Sequence, residues 1–152
     1  MRVIPATIEQ FDIVKRIVVD TINSVYPKYY PQGAVNFFLT HHNDSRMVMD
    51  INNHCVYLFE ANNSIIGTCT INENEINRLF ILPIHQGRGY GSKFMDVMEE
   101  KIFANYEEIN LAASLPAQSM YRKRGYKETS YHKILTDNGD YLCYYMMKLK
   151  KH

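Results

Sequence analysis

The chain has 152 residues, about the size of one domain and enough to enclose a sizeable core. Its 17 basic and 16 acidic residues leave a formal net charge of +1, which argues against a nucleic-acid surface or a polybasic membrane anchor. No apolar run approaches the ~20 residues of a membrane span, and no signal-peptide pattern is visible at Met1-Arg2-Val3-Ile4-Pro5, so a cytoplasmic protein is expected.

Arg2 to Ala6 reads as a short strand, and Thr7 with Gln10 three residues on marks a helix start. Ile8, Phe11, Val14, Val18, Ile22 and Val25 follow at helical spacing, ending near Tyr26-Pro27. Pro31 to His42 predicts a second helix packed through Val35, Phe38 and Leu39, and Met47 to Ile51 reads as a short helical turn or loop. Strands at Cys55 to Ala61 and Ile65 to Ile71 flank the hairpin signal Asn62-Asn63-Ser64, and Glu73-Asn74 makes the next turn.

Ile76 to Leu82 is a mostly apolar strand closed by Pro83, and Ser92 to Ala104 is an amphipathic helix. Between them stands Gln86-Gly87-Arg88-Gly89-Tyr90-Gly91. Strand, glycine-rich turn and helix together bind phosphate, because side chains are absent and backbone N–H groups at the helix start face the anion. The string is not a dinucleotide fingerprint, since counting from Gly87 or Gly89 puts Ser92 or Phe94 at the third glycine position, and no P-loop string occurs.

Ile109 to Ala113 reads as a strand, and Pro116 with Gly125 brackets a helix of about two or three turns. Lys127 to Leu135 and Asp140 to Lys148 are strands joined by Thr136-Asp137-Asn138-Gly139, whose Asn-Gly pair is a hairpin signal. Cys55, Cys69 and Cys143 are widely separated in strand-like runs and are expected to be buried and reduced. His41 and His42 would point apart on a helix, and no histidine spacing suits a metal, so none is expected.

Two strings carry a family resemblance. Leu79-Phe80-Ile81-Leu82-Pro83 followed by Gln86-x-x-Gly89-x-Gly91 resembles the acetyl-coenzyme A signature of the GNAT superfamily of N-acetyltransferases. Ala117-x-x-Met120-Tyr121-x-Lys123-x-Gly125-Tyr126 resembles the second signature of that family, although Ser114 stands where an asparagine is usual. The resemblance spans essentially the whole chain and is strongest from Glu75 to Tyr126. It implies one α/β domain over residues 1–152, a mixed, mostly antiparallel sheet flanked by helices in the order β-α-α-β-β-β-α-β-α-β-β.

The resemblance further implies transfer of an acetyl group from acetyl-coenzyme A (acetyl-CoA) to an amine by direct attack. A silent acyl-coenzyme A binding module on the same fold is the alternative. Pyrophosphate falls to Gln86, Gly87, Arg88, Gly89, Tyr90, Gly91 and Ser92, and the pantetheine arm to Leu79, Phe80, Ile81 and Ser114. The Ile81 N–H would face the thioester oxygen, where two strands splay apart. Tyr121 would act as general acid toward the sulfur, and Glu75 as base, with Glu73 and water as competitors. The acceptor, a small-molecule or peptide amine, would meet Tyr26, Tyr29 and Tyr30 and the loop Thr136 to Asp140. No nucleic-acid or membrane partner is expected, and dimers are common among relatives.

Overall fold

The computed structural model describes residues 1–152. Seven strands form one sheet: β1 (Arg2–Pro5), β2 (Val56–Ala61), β3 (Ser64–Asn72), β4 (Glu75–Ile81), β5 (Glu108–Ala113), β6 (Lys127–Leu135) and β7 (Tyr141–Lys150). Their order across the sheet is β1-β2-β3-β4-β5-β7-β6. Every neighbouring pair is antiparallel except β4 and β5, which run parallel. No helix is long and apolar enough to cross a membrane.

Two hydrophobic cores, one on each face of this sheet, hold the helices. On one face α1 (Phe11–Val25), α2 (Gln32–His41) and α3 (Asp44–Asn52) bury Val14, Ile17, Val18, Ile22, Ala34, Val35, Met47 and Ile51 against Val56, Leu58, Phe80 and Leu142. On the other, α4 (Tyr90–Phe103) and α5 (Gln118–Lys123) place Phe94, Met95, Met98, Ile102 and Tyr121 over Phe59, Ile76, Ile109, Leu111 and Met147. Helix α3 corrects the expected order, which had two helices before β2. It is a full nine-residue helix, started by Asn43, whose side chain accepts from the Arg46 N–H at 3.0 Å.

Local chemistry explains several connections. Asn62 (φ +52°) and Asn63 (φ +62°) form the two-residue turn between β2 and β3, the left-handed pair that matches the twist of a hairpin. The expected connection of the last two strands is the loop Thr136 to Asp140, which joins β6 to β7 as a hairpin and folds onto the start of α2. There the Gly33 N–H donates to Asp140 Oδ2 at 2.9 Å, placing a carboxylate at a helix N-terminus.

The feature that builds the site is a bulge in β4. Thr68 faces Phe80 and Thr70 faces Asn77, so two residues of β4, Arg78 and Leu79, oppose Cys69 alone. Arg78 takes the left-handed conformation (φ +48°). Side chains alternate along a strand, and an inserted residue reverses the phase. Hence Ile76 and Ile81 enter the α4 core while Phe80 enters the α1–α2 core. The Arg78 guanidinium is held by an ion pair with Asp50 of α3. Pairing of β4 with β5 is limited to Glu75 with Asn110 and Ile76 with Leu111, and beyond these the strands diverge.

Candidate functional site

A cavity of about 890 Å³ lies where β4 and β5 part, between the start of α4 and α5. One end is the glycine turn. Gly87 (φ +76°) and Gly89 (φ +80°) are left-handed, and a Cβ on either would meet no atom within 4 Å, so the turn stands open. Gly89 caps α4 without a side-chain bond, and the first helical bond runs from the Lys93 N–H to Gly89 O at 3.1 Å. The amides of Tyr90, Gly91 and Ser92 ahead of it make no backbone hydrogen bond. Free N–H groups on an open turn at a helix N-terminus suit a phosphate or pyrophosphate anion.

The other end of the cavity is the splayed edge of β4. Leu82 N–H donates to Ile66 O of β3 at 2.8 Å, so by alternation the Ile81 N–H points the opposite way, into the opening. The Ile81 carbonyl on that side accepts from Gln86 Nε2 at 2.8 Å and from Thr21 Oγ1 at 3.4 Å. Gln86 therefore ties the glycine turn to the strand end. Leu79, Phe80 and Ser114 line the same cavity.

A second cavity of about 340 Å³ opens on the α1–α2 face. Tyr26, Leu79, Phe80, Ser114 and Ala117 line both, so the two spaces meet at the gap between the strands. Two phenols reach across this gap. Tyr26 belongs to the α1–α2 core yet lines the larger cavity, and Tyr121 belongs to the α4 core yet lines the smaller one. Burial pushes the Tyr26 phenol up to about 12, with the Ser114 hydroxyl pulling the other way. Burial raises Tyr121 further, and the neighbouring Cys69, Tyr26 and Glu99 act in the same direction. Both groups carry their protons throughout the neutral range.

The position of Tyr121 follows from how its helix ends. Gly125 (φ +98°) donates its N–H to Arg122 O at 3.0 Å, and Tyr126 donates to Tyr121 O at 3.1 Å, a Schellman C-cap. The apolar contact that accompanies this cap is the Tyr126 ring on the Tyr121 ring, centroids 5.5 Å apart. Arg124 then bonds Ser92 Oγ at 2.7 Å, Asp96 Oδ1 at 2.6 Å and Glu99 Oε2 at 2.7 Å, fixing α5 to the first turns of α4.

Several expected residues come together here and several do not. Gln86, Gly87, Gly89, Tyr90, Gly91 and Ser92 line the larger cavity, whereas Arg88 is exposed and lines neither. Glu75 lines the smaller cavity; Glu73 is exposed in the β3–β4 turn and lines neither. Of the three tyrosines assigned to the acceptor, only Tyr26 reaches the cavities. Tyr29 is 51% exposed, and Tyr30 is buried, its hydroxyl accepting from the Leu115 N–H at 2.7 Å. The loop Thr136 to Asp140 also lines neither cavity, because it packs on Gly33.

Other expectations need revision. Only Cys69 is fully buried, Cys55 and Cys143 being half-buried. His41 and His42 do not point apart. Their ring centroids are 5.0 Å apart, because His42 (φ −98°, ψ 54°) has already left the helix. Sequence reasoning did not place Phe37, Phe38, Arg78, His42 or Tyr144 in a site, and all five line the smaller cavity. The one available signal was the aromatic and histidine density of Phe37 to His42.

A family model described as an acetyltransferase (GNAT) domain matches residues 25–150. No curated protein matches the sequence. Among solved structures, a GCN5-related N-acetyltransferase from Rhodopseudomonas palustris superposes with a TM-score of 0.86 at 17% identity, covering 99% of this chain and 95% of that one. PaiA N-acetyltransferase from Thermoplasma acidophilum, in complex with coenzyme A, has a TM-score of 0.74 at 16% identity over 99% and 98% of the two chains. YncA from Salmonella typhimurium, with its cofactor acetyl-CoA, has a TM-score of 0.73 at 13% identity over 100% and 95%. At these identities the likeness is one of fold.

Proposed function

The chain belongs to the GNAT family of acetyltransferases, and we propose that residues 1–152 act as a single domain transferring the acetyl group of acetyl-CoA directly to an amine. The observation that carries this reading is the meeting of the two cavities at the parted strands, with unpartnered amides at the far end of one and buried phenols at the junction. Fold relatives bound to coenzyme A and to acetyl-CoA support the choice of donor. A cytoplasmic location belongs to the same reading.

When bound, acetyl-CoA supplies a thioester whose C–S bond is exchanged for a C–N bond to the amine, as the amine loses a proton and the thiolate gains one. The amides of residues 87–92 hold the pyrophosphate, and the Gln86 side chain keeps their turn against β4. The edge of Leu79 to Ile81, with the Ser114 hydroxyl, orients the arm. The Ile81 N–H is the donor for the developing oxyanion. Tyr121, which keeps its proton at neutral pH, delivers it to the departing sulfur. Glu75, or water beside it, accepts the proton of the amine.

Thermal unfolding with acetyl-CoA, ATP and NAD tests the reading. At a hundredfold excess over its dissociation constant, acetyl-CoA should stabilise the fold by about 2.7 kcal/mol, and the other two ligands should leave the midpoint unchanged. No shift with acetyl-CoA overturns the donor assignment. Release of free thiol on adding an amine then separates an enzyme from a module that only binds acyl-CoA.

A further inference from the structure

We infer that the smaller cavity takes a compact primary monoamine whose body is one aromatic ring system on a short aliphatic linker. The inference rests on the acetyl-transfer reading, because it identifies this cavity as the acceptor side of the junction. Size is the first argument. About 340 Å³ is at the small end of ligand sites, which span about 300–1,000 Å³. Such a space holds one compact body, whereas an aminoglycoside would leave most of its rings outside.

The walls are the second argument. Phe37 and Phe38 of α2, Tyr144 of β7, Phe80 of β4 and Tyr26 surround the space with ring faces and edges. Their packing is already ordered. Phe38 meets Tyr26 edge-on at 4.7 Å between centroids, and Phe37 stacks on His41 at 5.9 Å. A planar apolar body offers such walls the offset and edge contacts that aromatic pairs prefer.

Charge is the third and most selective argument. The ionisable groups facing the cavity are Glu75, Arg78, His41, His42 and the phenols of Tyr26, Tyr121 and Tyr144. Arg78 is ion-paired with Asp50. Burial lowers His42 to about 3 and keeps it neutral, and His41 is shifted in the same direction by partial desolvation and the nearby Arg46 and Arg78. One carboxylate, Glu75, therefore faces the ligand without a partner among these groups. It suffices for one ammonium. The second or third ammonium of a polyamine would find ring faces but no second carboxylate to replace its lost water. The same apolar lining favours the uncharged form of the single amine, which is the form that attacks the thioester. That amine lies at the junction shared with the larger cavity, and the ring lies toward Phe37 and Tyr144.

Thiol release from acetyl-CoA is the measurement, made on the full chain with phenethylamine, tryptamine, spermidine and a lysine-containing tripeptide. The better arylalkylamine should exceed spermidine and the peptide in kcat/KM by at least about tenfold. Phe37→Asp, which adds a carboxylate to the smaller cavity only, should lower arylalkylamine kcat/KM by about tenfold while KM for acetyl-CoA stays unchanged. Preference for spermidine or the peptide overturns the inference. So does absence of thiol release with both arylalkylamines while acetyl-CoA still raises the unfolding midpoint, an outcome that leaves the donor assignment standing. Loss of that midpoint shift would instead overturn the reading beneath it.

Discussion

Two buried tyrosines, Tyr26 and Tyr121, line the cavities at the strand gap, and the proposed reaction needs only one of them as proton donor to sulfur. Tyr121 is buried, and the Schellman cap that ends its helix packs the Tyr126 ring against it. Tyr26 is held edge-on by Phe38 and lies beside Ser114. A rigidly placed phenol is the better proton donor, since a general acid must meet its acceptor in the transition state without reorganising. Tyr121→Phe should therefore cut kcat by about 10²-fold, with little change in KM for acetyl-CoA. Steady-state kinetics beside Tyr26→Phe decides the matter. If Tyr121→Phe keeps full kcat and Tyr26→Phe loses it, the acid is Tyr26.

Elements meet at close approaches that a single methyl group would disturb. A Cβ on Gly33 would lie 2.5 Å from Asn138 Cγ and 2.6 Å from Thr136 Oγ1, and these atoms belong to a loop already bonded internally. Gly33→Ala should thus destabilise the fold by about 1–3 kcal/mol, read as a lower urea midpoint with an unchanged m-value. This contact joins residues about a hundred positions apart in the chain, and nothing near Gly33 announces it. The Asn62-Asn63 turn and the Gly125-Tyr126 cap were legible because their chemistry is local. Helix α3 was not, although Asn43 capped it and Met47 and Ile51 sat one turn apart, because only those two positions are fully buried. The bulge at Arg78 was invisible for a stronger reason. No glycine marks it, and its left-handed residue is held by Asp50, an ion pair that exists only once α3 has docked. A tyrosine-rich loop looks like a binding surface, yet Tyr29 and Tyr30 line neither cavity, one ring facing solvent and the other meeting the Leu115 N–H.

For the molecule as a whole, opening a sheet to make a site places ionisable groups in its walls, and that has a consequence for stability. His42 closes α2 beside the smaller cavity, with its Nδ1 buried and without a hydrogen-bond partner, and its ring edge-on to Phe80 at 6.0 Å. Burial, then the charges of Arg78, His41 and Arg46, lower it from 6.5 to about 3. Between these values the unfolded chain binds a proton that the folded chain refuses, so folding stability is intact above about 6.5 and falls as the pH drops toward 3. At pH 5, about 1.5 units below the unfolded value, this amounts to about 2 kcal/mol, a sizeable part of the ~5–15 kcal/mol that holds a domain together. His42→Gln removes the titration and keeps a neutral polar side chain. Urea unfolding at pH 7.5 and pH 5 should therefore show the unsubstituted protein losing about 2 kcal/mol more than the variant. Equal losses would mean that His42 can admit a proton without opening the fold, and that the wall between α2 and β4 is looser than its packing. A larger loss in the unsubstituted protein ties acid stability to the wall of the smaller cavity, where the half-buried His42 ring packs edge-on against Phe80.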